Sequence, residues 1–134
     1  MNTRERPELL SVAILEDHCN DKKLDGGLIT DYMVRSFRFR HDGMLTARSR
    51  DQHLQNLKNH YQTVPDFRMD FVNCSANVDE VSGVASVYMF FKLSGLLPDF
   101  RRESVAILRW EKRHGEWVCV KYEGVRGPAG LPDE

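Results

Sequence analysis

Residues 101–125 read RRESVAILRWEKRHGEWVCVKYEGV, and this stretch decides the fold. Residues 101–111 contain the apolar run 105–108 with mostly charged residues on either side, and residues that favour strands dominate again along 117–125. Such runs are typical of β-strands, because successive side chains of a strand point to opposite faces of the sheet. The polar segment 112–115 between them is short enough for a hairpin. We therefore predict two long antiparallel strands.

Two further runs with strand character precede this hairpin. Residues 67–71 alternate in polarity, and residues 83–93 are rich in valine and aromatic side chains. The short polar segment 76–80 is predicted to connect these two runs, whereas 94–99 contains Gly95 and Pro98 and predicts a longer loop. Four strands in succession predict an antiparallel meander.

The first half of the chain predicts three helices and one strand. Residues 7–20 carry apolar side chains at helical spacing, and 24–33 form a shorter helical pattern. A third helix is predicted to begin after Ser49, a capping residue with a glutamine three positions later, and to end before Pro65. Between the second and third helices, residues 34–40 alternate as a strand does.

This order of elements predicts an α+β fold, since the helices are segregated from most of the strands. A sheet of long strands twists and curls, so we expect it to wrap around the helices and to enclose an apolar pocket. The chain has 134 residues, the commonest size for one domain. We predict one domain over 1–134, with its core at about 7–125 and a flexible tail at 126–134.

Composition and charge argue against several classes of partner. The formal net charge is −1, so no overall electrostatic field gathers nucleic acid. No apolar run approaches the roughly 20 residues that a membrane span needs, and the first residues lack the apolar stretch of a signal peptide. The sequence therefore predicts a cytoplasmic protein with neither a nucleic-acid nor a membrane partner.

The sequence also predicts neither a metal site nor a cofactor. Its three cysteines lack the C-x-x-C spacing of zinc sites and are an odd number for a disulfide framework. No glycine-rich phosphate loop is present, so no nucleotide cofactor is expected. Four histidines are predicted to lie on the surface, because their spacing does not bring metal ligands together. These residues are Cys19, Cys74, Cys119, His18, His53, His60 and His114.

Several local strings resemble those of the nuclear-transport-factor-two-like superfamily, in particular its SnoaL-like and ketosteroid-isomerase-like branches. Their order and spacing are similar over roughly residues 9–124. The strings are Asp31-Tyr32, His41-Asp42-Gly43, Val64-Pro65-Asp66-Phe67, Arg101-Arg102-Glu103-Ser104-Val105 and Leu108-Arg109-Trp110.

The resemblance implies a cone-shaped, curved antiparallel sheet packed on three N-terminal helices around an apolar pocket. The superfamily contains isomerases, dehydratases and cyclases, and also plain binding and docking modules, so fold alone does not fix function. In ketosteroid isomerases a tyrosine and a protonated aspartate hold the developing oxyanion. The best alignment places Leu15 and Ala106 at those positions, and a dienolate isomerase of that type is therefore not expected.

His41 is the leading candidate for chemistry. It shares the strand alternation of Phe37 and Phe39, which predicts that it points into the pocket, and imidazole titrates near the pH at which acid–base catalysis works best. The alternative is a histidine at the rim that only ends the strand. Asp42 is predicted either to orient His41 or accept a proton itself, or else to be an ordinary turn residue before Gly43.

The resemblance sends the face of 101–111 that carries Ser104 inward. Arg102 is then expected to hold a carboxylate or enolate oxygen, Ser104 to hydrogen-bond a carbonyl, and Trp110 to stack deep in the pocket. Tyr88 is predicted to donate a hydrogen bond to a substrate oxygen. Residues of the remaining predicted lining are Tyr32, Phe37, Phe39, Phe67, Phe71, Phe90, Leu108 and Tyr122. For the last strand, the alternation leaves open whether Tyr122 or Glu123 faces inward.

We predict an isomerase, cyclase or dehydratase that needs no cofactor. Its acid–base chemistry would act on a carbonyl-containing, polycyclic or polyketide-like substrate in secondary metabolism. The alternative is a non-catalytic ligand-binding or dimerisation module of the same fold. Val105 and Ile107 alternate with charged residues on the outer face, and with the resemblance they predict a homodimer.

Overall fold

The computed structural model describes residues 5–24, 26–42, 44–95 and 102–126. Its elements in chain order are α1 Glu5–Leu15, a π-helical turn Glu16–Asn20, α2 Gly27–Tyr32, β1 Met33–His41, α3 Arg50–Thr63, β2 Arg68–Asp79, β3 Val84–Ser94, β4 Arg102–Arg113 and β5 Glu116–Arg126. The tail predicted to be flexible at 126–134 lies outside the described residues from 127 on, while its first residue, Arg126, is the last residue of β5. Most of the loop predicted at 94–99 also lies outside the described residues.

The three predicted helices are present. The first continues through the π-helical turn, so helical structure extends to Asn20 as predicted. The second is shorter than predicted because it begins only after Gly26, whose φ of 73° is left-handed. The predicted cap of the third is confirmed: the Ser49 hydroxyl accepts a hydrogen bond from the Gln52 amide at 3.1 Å.

The five strands form one curved, open sheet in the order β1-β5-β4-β3-β2. The meander of β2 to β5 is antiparallel, as predicted. The sheet is not antiparallel throughout, because β1 pairs parallel to β5. A parallel pair needs a long connection, and α3 together with three strands separates β1 from β5 in the chain.

The first hairpin of the meander differs from the prediction. Most of the segment 76–80, predicted to be a connection, belongs to β2, and the turn follows it. Ala76 pairs with Val87 and Val78 with Ala85, so these small apolar residues extend the ladder. The turn itself is fixed by Asp79, whose carboxylate accepts hydrogen bonds from the amide and the hydroxyl of Ser82.

The helices pack against the concave face of the sheet and bury its inward side chains. Several polar contacts link the two layers, and one of them joins two buried side chains: the indole N–H of Trp110 on β4 donates to the hydroxyl of Ser11 on α1 at 2.9 Å. A buried Trp needs such a partner for its N–H. This hydrogen bond helps to set the position of α1 over the sheet.

Candidate functional site

A cavity of about 30 Å³ lies between the concave face of the sheet and the helices. Side chains from α1, α3 and all five strands line it, and most of them are apolar. Six of the predicted site residues are among them: Phe37, Phe39, His41, Phe67, Leu108 and Tyr122. The cavity is therefore an apolar chamber with few polar groups.

His41 is the last residue of β1 and lies at the sheet end of this cavity. It is buried, with 5% of its surface exposed. Its Nδ1 lies 3.2 Å from the hydroxyl of Tyr122, and its Nε2 lies 3.4 Å from the hydroxyl of Ser104. Both imidazole nitrogens thus have a hydroxyl partner, which fixes the plane of the ring.

Ser104 stands behind His41 rather than in the cavity. It lies on the inward face of β4, is fully buried, and is not among the residues that line the chamber. A ligand in the chamber therefore meets His41 and Tyr122 first. The predicted hydrogen bond from Ser104 to a substrate carbonyl does not fit this placement, whereas a role in holding Nε2 of His41 does.

Gly124 makes room for the imidazole, a role that the sequence analysis missed. It pairs with His41 across the parallel β1–β5 ladder. A Cβ added at Gly124 would overlap Nδ1 and Cε1 of His41 and approach the Tyr122 ring. A glycine inside a strand pattern is a known sign of close approach, so the sequence did carry a signal.

Tyr122 faces inward because β5 contains a bulge. Arg109 on β4 pairs with Lys121, but its neighbour Trp110 pairs with Cys119, so Val120 is the extra residue. An extra residue reverses the alternation on one side of it. Cys119 and Tyr122 therefore both point into the cavity. Neither of the two predicted alternations holds along the full length of β5. Burial raises the pKa of Tyr122 well above its usual value, so it remains a phenol.

His18 and His53 lie at the helix end of the same cavity, and the prediction that they are surface residues is wrong. Each is 2% exposed, and their ring centroids are 5.8 Å apart. The His53 ring also stacks on Phe39 at 4.4 Å. His53 lies four residues before Leu57 and eight before Tyr61, so its place on the buried stripe of α3 was visible in the sequence.

Both of these imidazoles are neutral at physiological pH. Burial lowers the pKa of His18 to about 4, although the nearby Ile14 carbonyl opposes the change. Burial and the neighbouring His18 lower the pKa of His53 to about 3. His60 is half-buried on α3 and its pKa is also lowered by burial. Of the four histidines predicted on the surface, His114 is the exposed one.

Two predicted site residues point away from the cavity. The inward residues of β3 are the odd-numbered ones from Ala85 to Leu93, including Phe91, which lines the chamber. Tyr88 and Phe90 have the opposite parity and lie on the outer face, where Tyr88 is 42% exposed. The predicted contact between Tyr88 and a substrate in this cavity is therefore wrong.

Other predicted residues lie near the cavity without lining it. Asp42 is exposed in the turn after β1, and its amide donates to the Gly124 carbonyl at 3.3 Å. Arg102 and Tyr32 are half-buried outside the lining set, and Trp110 is held by Ser11. Phe71 contacts Phe91 edge-on at 6.2 Å, which makes it part of the surrounding core.

The remaining polar side chains of the chamber are thiols. Cys19 and Cys119 are buried, and burial raises the pKa of each to about 12, so neither is a thiolate. Over the ranges that the structure describes, no three His, Cys, Asp or Glu side chains come together in a way that could hold a metal ion. In the same ranges, no helix has the length and apolar character needed to cross a membrane.

Comparisons with known proteins give a fold and no closer relationship. No protein-family model matches the chain, and no curated protein does. Solved structures do match. An uncharacterised protein with a cystatin-like fold from Caulobacter vibrioides has a TM-score of 0.77 at 14% identity, over 92% of this chain and 89% of that one.

Two further structures agree. A nuclear-transport-factor-two-like protein of unknown function from Pseudomonas putida has a TM-score of 0.77 at 8% identity, over 98% of this chain and 94% of that one. The hexachlorocyclohexane dehydrochlorinase LinA-type3 from Novosphingobium barchaimii has a TM-score of 0.76 at 16% identity, over 95% and 92%. With its curved five-stranded sheet packed on helices, this chain has the cone-like fold of nuclear-transport-factor-two-like, cystatin-like proteins.

Proposed function

We propose that the chain is a cofactor-independent enzyme that transfers protons on an uncharged small molecule, with His41 as the acid–base group. The observation that carries this proposal is the placement of one imidazole between two hydroxyl groups at the wall of a chamber whose lining is mostly apolar. A general acid or base works best when its orientation is fixed and when little bulk water reaches it. His41 contacts two hydroxyls and is 5% exposed, so it meets both conditions.

The two hydroxyls have different parts in the proposed reaction. Nε2–H of His41 donates to the buried Ser104 oxygen, which leaves Nδ1 as the basic nitrogen on the side of Tyr122. In the resting protein the Tyr122 hydroxyl donates to Nδ1. A substrate carbonyl takes over this hydrogen bond, and Nδ1 then accepts a proton from the adjacent carbon while Tyr122 stabilises the negative charge on oxygen. Return of the proton from Nδ1 to a different carbon of the enolate completes an isomerisation. In an elimination, the enolate expels a leaving group from the β-carbon, and Nδ1 then gives its proton to that group or to water.

Tyr122 thus replaces the missing oxyanion pair in this proposal. Leu15 and Ala106, which the resemblance aligns with that pair, are buried apolar residues, and Leu15 lines the chamber. The substrate we propose carries a carbonyl group on an apolar, polycyclic or polyketide-like skeleton, because the lining offers little else to bind. The structural similarity to a dehydrochlorinase supports proton-removal chemistry as the reaction class.

The test uses molecules from the protein's own source. Purified protein is incubated with a metabolite extract, and native mass spectrometry identifies a retained molecule and any chemical change in it. We expect conversion by the wild type and by His114→Asn, and at least a hundredfold slower conversion by His41→Asn. Full conversion by His41→Asn would exclude His41 as the acid–base group. A molecule that is retained and never changed would identify a ligand-binding module instead.

We propose further that two copies associate through the outer face of the sheet. Tyr88, Val105 and Val125 are exposed there, on three adjacent strands. Phe90 pairs with Val105, which pairs with Val125, so the apolar residues form a row across the sheet. Such exposed apolar patches are typical of interfaces.

Light scattering after size exclusion tests this association. We expect a dimer for the wild type and for Val81→Lys, a change at a fully exposed turn residue. We expect a monomer for Val105→Lys, because dimerisation would bury the new lysine charge of each copy in the interface. A wild-type monomer at micromolar concentration contradicts the proposed pairing.

A further inference from the structure

A second, larger cavity adjoins the chamber. It is a groove of about 290 Å³ along α3, close to the lower end of the size range of small-molecule sites. Its other side is the segment after β1, which returns beside that strand: the amides and carbonyls of Phe39 and Ala47 hydrogen-bond to each other at 3.0 Å. This returning segment brings Met44 and Leu45 over the groove.

The groove and the chamber share one wall. Phe39, Met44, His53 and Leu57 line both of them. The chamber itself has room for only a water molecule or two, so a substrate carbonyl reaches His41 only if part of this wall shifts. Met44 is half-buried and is an unbranched, flexible side chain, which makes it the member of the wall best able to move.

The groove is lined by uncharged side chains, which are apolar on one side and polar on the other. Met44 and Leu45 form an apolar side, and Leu45 is 71% exposed. The α3 side presents Asn56, Asn59 and His60. Across the described part of the chain, Nδ2 of Asn56 and Nε2 of His60 are buried atoms without a hydrogen-bond partner. Unpaired buried polar atoms cost free energy, and a ligand that bonds them recovers it.

We propose that this groove binds the outer part of the substrate and is its route to His41. The ligand class is an elongated, uncharged molecule with one apolar edge against Met44 and Leu45 and a hydrogen-bond acceptor facing Asn56. Its reactive end enters the chamber between Phe39 and Met44. The inference deepens the proposed function and rests on it for the direction of the ligand.

Two neutral methyl ketones, 2-hexanone and 2-decanone, serve as probes, with dissociation constants measured by titration calorimetry. Each buried methylene tightens binding about fourfold, so we expect 2-decanone to bind the wild type at least tenfold more tightly than 2-hexanone. Asn59→Trp fills the groove from an exposed position, so we expect 2-decanone to lose its advantage and to bind no more tightly than 2-hexanone. Gln62→Trp, at an exposed position on α3 outside the groove lining, is the matched control and should change neither constant.

A third probe, 2,9-decanedione, tests the hydrogen-bonding side. We expect it to bind better than 2-decanone to the wild type, and this difference to vanish in Asn56→Leu. Equal binding of the short and long ketones by the wild type, or an unchanged advantage in Asn59→Trp, overturns the groove assignment.

Failure of this inference is distinguishable from failure of the proposed function. His41→Asn should keep the dependence on chain length while losing turnover. If that dependence is missing from a wild type that converts its substrate, only the groove assignment fails. If the dependence is present and His41→Asn still converts substrate at full rate, only the assignment of His41 fails.

Discussion

The two ends of the chamber contain the same kind of residue in different settings. At the sheet end, His41 contacts the hydroxyls of Tyr122 and Ser104. At the helix end, His18 and His53 contact each other, and His53 stacks on Phe39. All three imidazoles are at most 5% exposed. Burial alone therefore does not distinguish them; the hydroxyl partners do, and they make the sheet end the better candidate for proton transfer.

Among changes at the sheet end of the chamber, we expect Gly124→Ala to have the largest effect on turnover and stability. The added methyl group overlaps the imidazole of His41 and crowds the Tyr122 ring, and both side chains are buried, so neither can easily move aside. We expect no detectable turnover and a loss of about 3 kcal/mol or more in the free energy of unfolding, as for other overpacked cores. Turnover assays and urea unfolding measure the two effects.

A double variant shows whether His41 is the residue displaced. In a His41→Ala background the space beside Gly124 is open, and only the Tyr122 ring remains close to the new methyl group. We expect Gly124→Ala to cost about 1 kcal/mol or less there. An equal cost in both backgrounds would show that the glycine serves the strand and not the histidine.

The pH dependence of stability tests the two histidines at the helix end. The folded-state pKa values of His18 and His53 are about 4 and 3, below the unfolded value near 6.5, so the unfolded chain binds more protons between these limits. Their contribution to stability is complete above pH 6.5 and is lost as the pH falls. As the pH falls, each imidazole lowers the free energy of unfolding by at most about 1.4 kcal/mol per pH unit. Urea unfolding at several pH values between 7 and 4 measures this dependence.

Removal of one imidazole isolates this effect. His53→Leu takes away the group with the larger shift, and we expect the slope of stability against pH to fall by about half. His114→Asn, at an exposed turn residue with a φ of 50°, is the control and should keep the wild-type slope. A wild-type slope in His53→Leu would show that carboxyl groups, not the buried imidazoles, dominate acid unfolding.

Tyr122→Phe changes the sheet end without changing its shape. The variant loses the hydroxyl beside Nδ1 and, in the proposed reaction, the donor to the substrate oxygen. We expect turnover to fall about tenfold to a hundredfold, with a smaller effect on the Michaelis constant. A variant with unchanged turnover would remove Tyr122 from the chemistry.

Ser104→Ala should have the smallest effect of the series. Its contact with Nε2 is long, at 3.4 Å, and Ser104 does not line the chamber. We expect a loss of about threefold in turnover, since only the orientation of the imidazole is weakened. Ser104→Thr keeps a hydroxyl group and should recover part of this loss. The recovery is incomplete because the added methyl group enters a fully buried position. A loss as large as that of His41→Asn would mean that Ser104 itself reacts.

The parts of this fold that could be predicted from sequence are those that depend on near neighbours. The cap at Ser49 and the inward direction of His41 after Phe37 and Phe39 follow from local spacing, and the structure has both. His53 was also within reach, because Leu57 and Tyr61 continue its stripe on α3.

The parts that could not be predicted depend on the register and the direction in which two strands pair. The bulge at Val120 exists only against β4, so alternation along β5 could not give the direction of Tyr122. Gly124 lies beside His41 only because β1 pairs parallel to β5. Local sequence does not show which strand lies next to β5. Tyr88 was misplaced because the inward residues of β3 are the odd-numbered ones from Ala85 to Leu93, and alternation by itself does not show which of the two sets faces inward.

The parallel pairing of β1 with β5 also bears on how the protein acquires its site. His41 and Tyr122 are 81 residues apart in the chain, whereas the hairpins of the meander close over short turns. Contacts of such wide separation form slowly, because the entropy of closing the intervening loop is lost before they contribute. During synthesis, the imidazole emerges long before its phenol partner, so a nascent chain can build helices and hairpins first. Only the arrival of the last strand makes the protein competent for the proposed reaction.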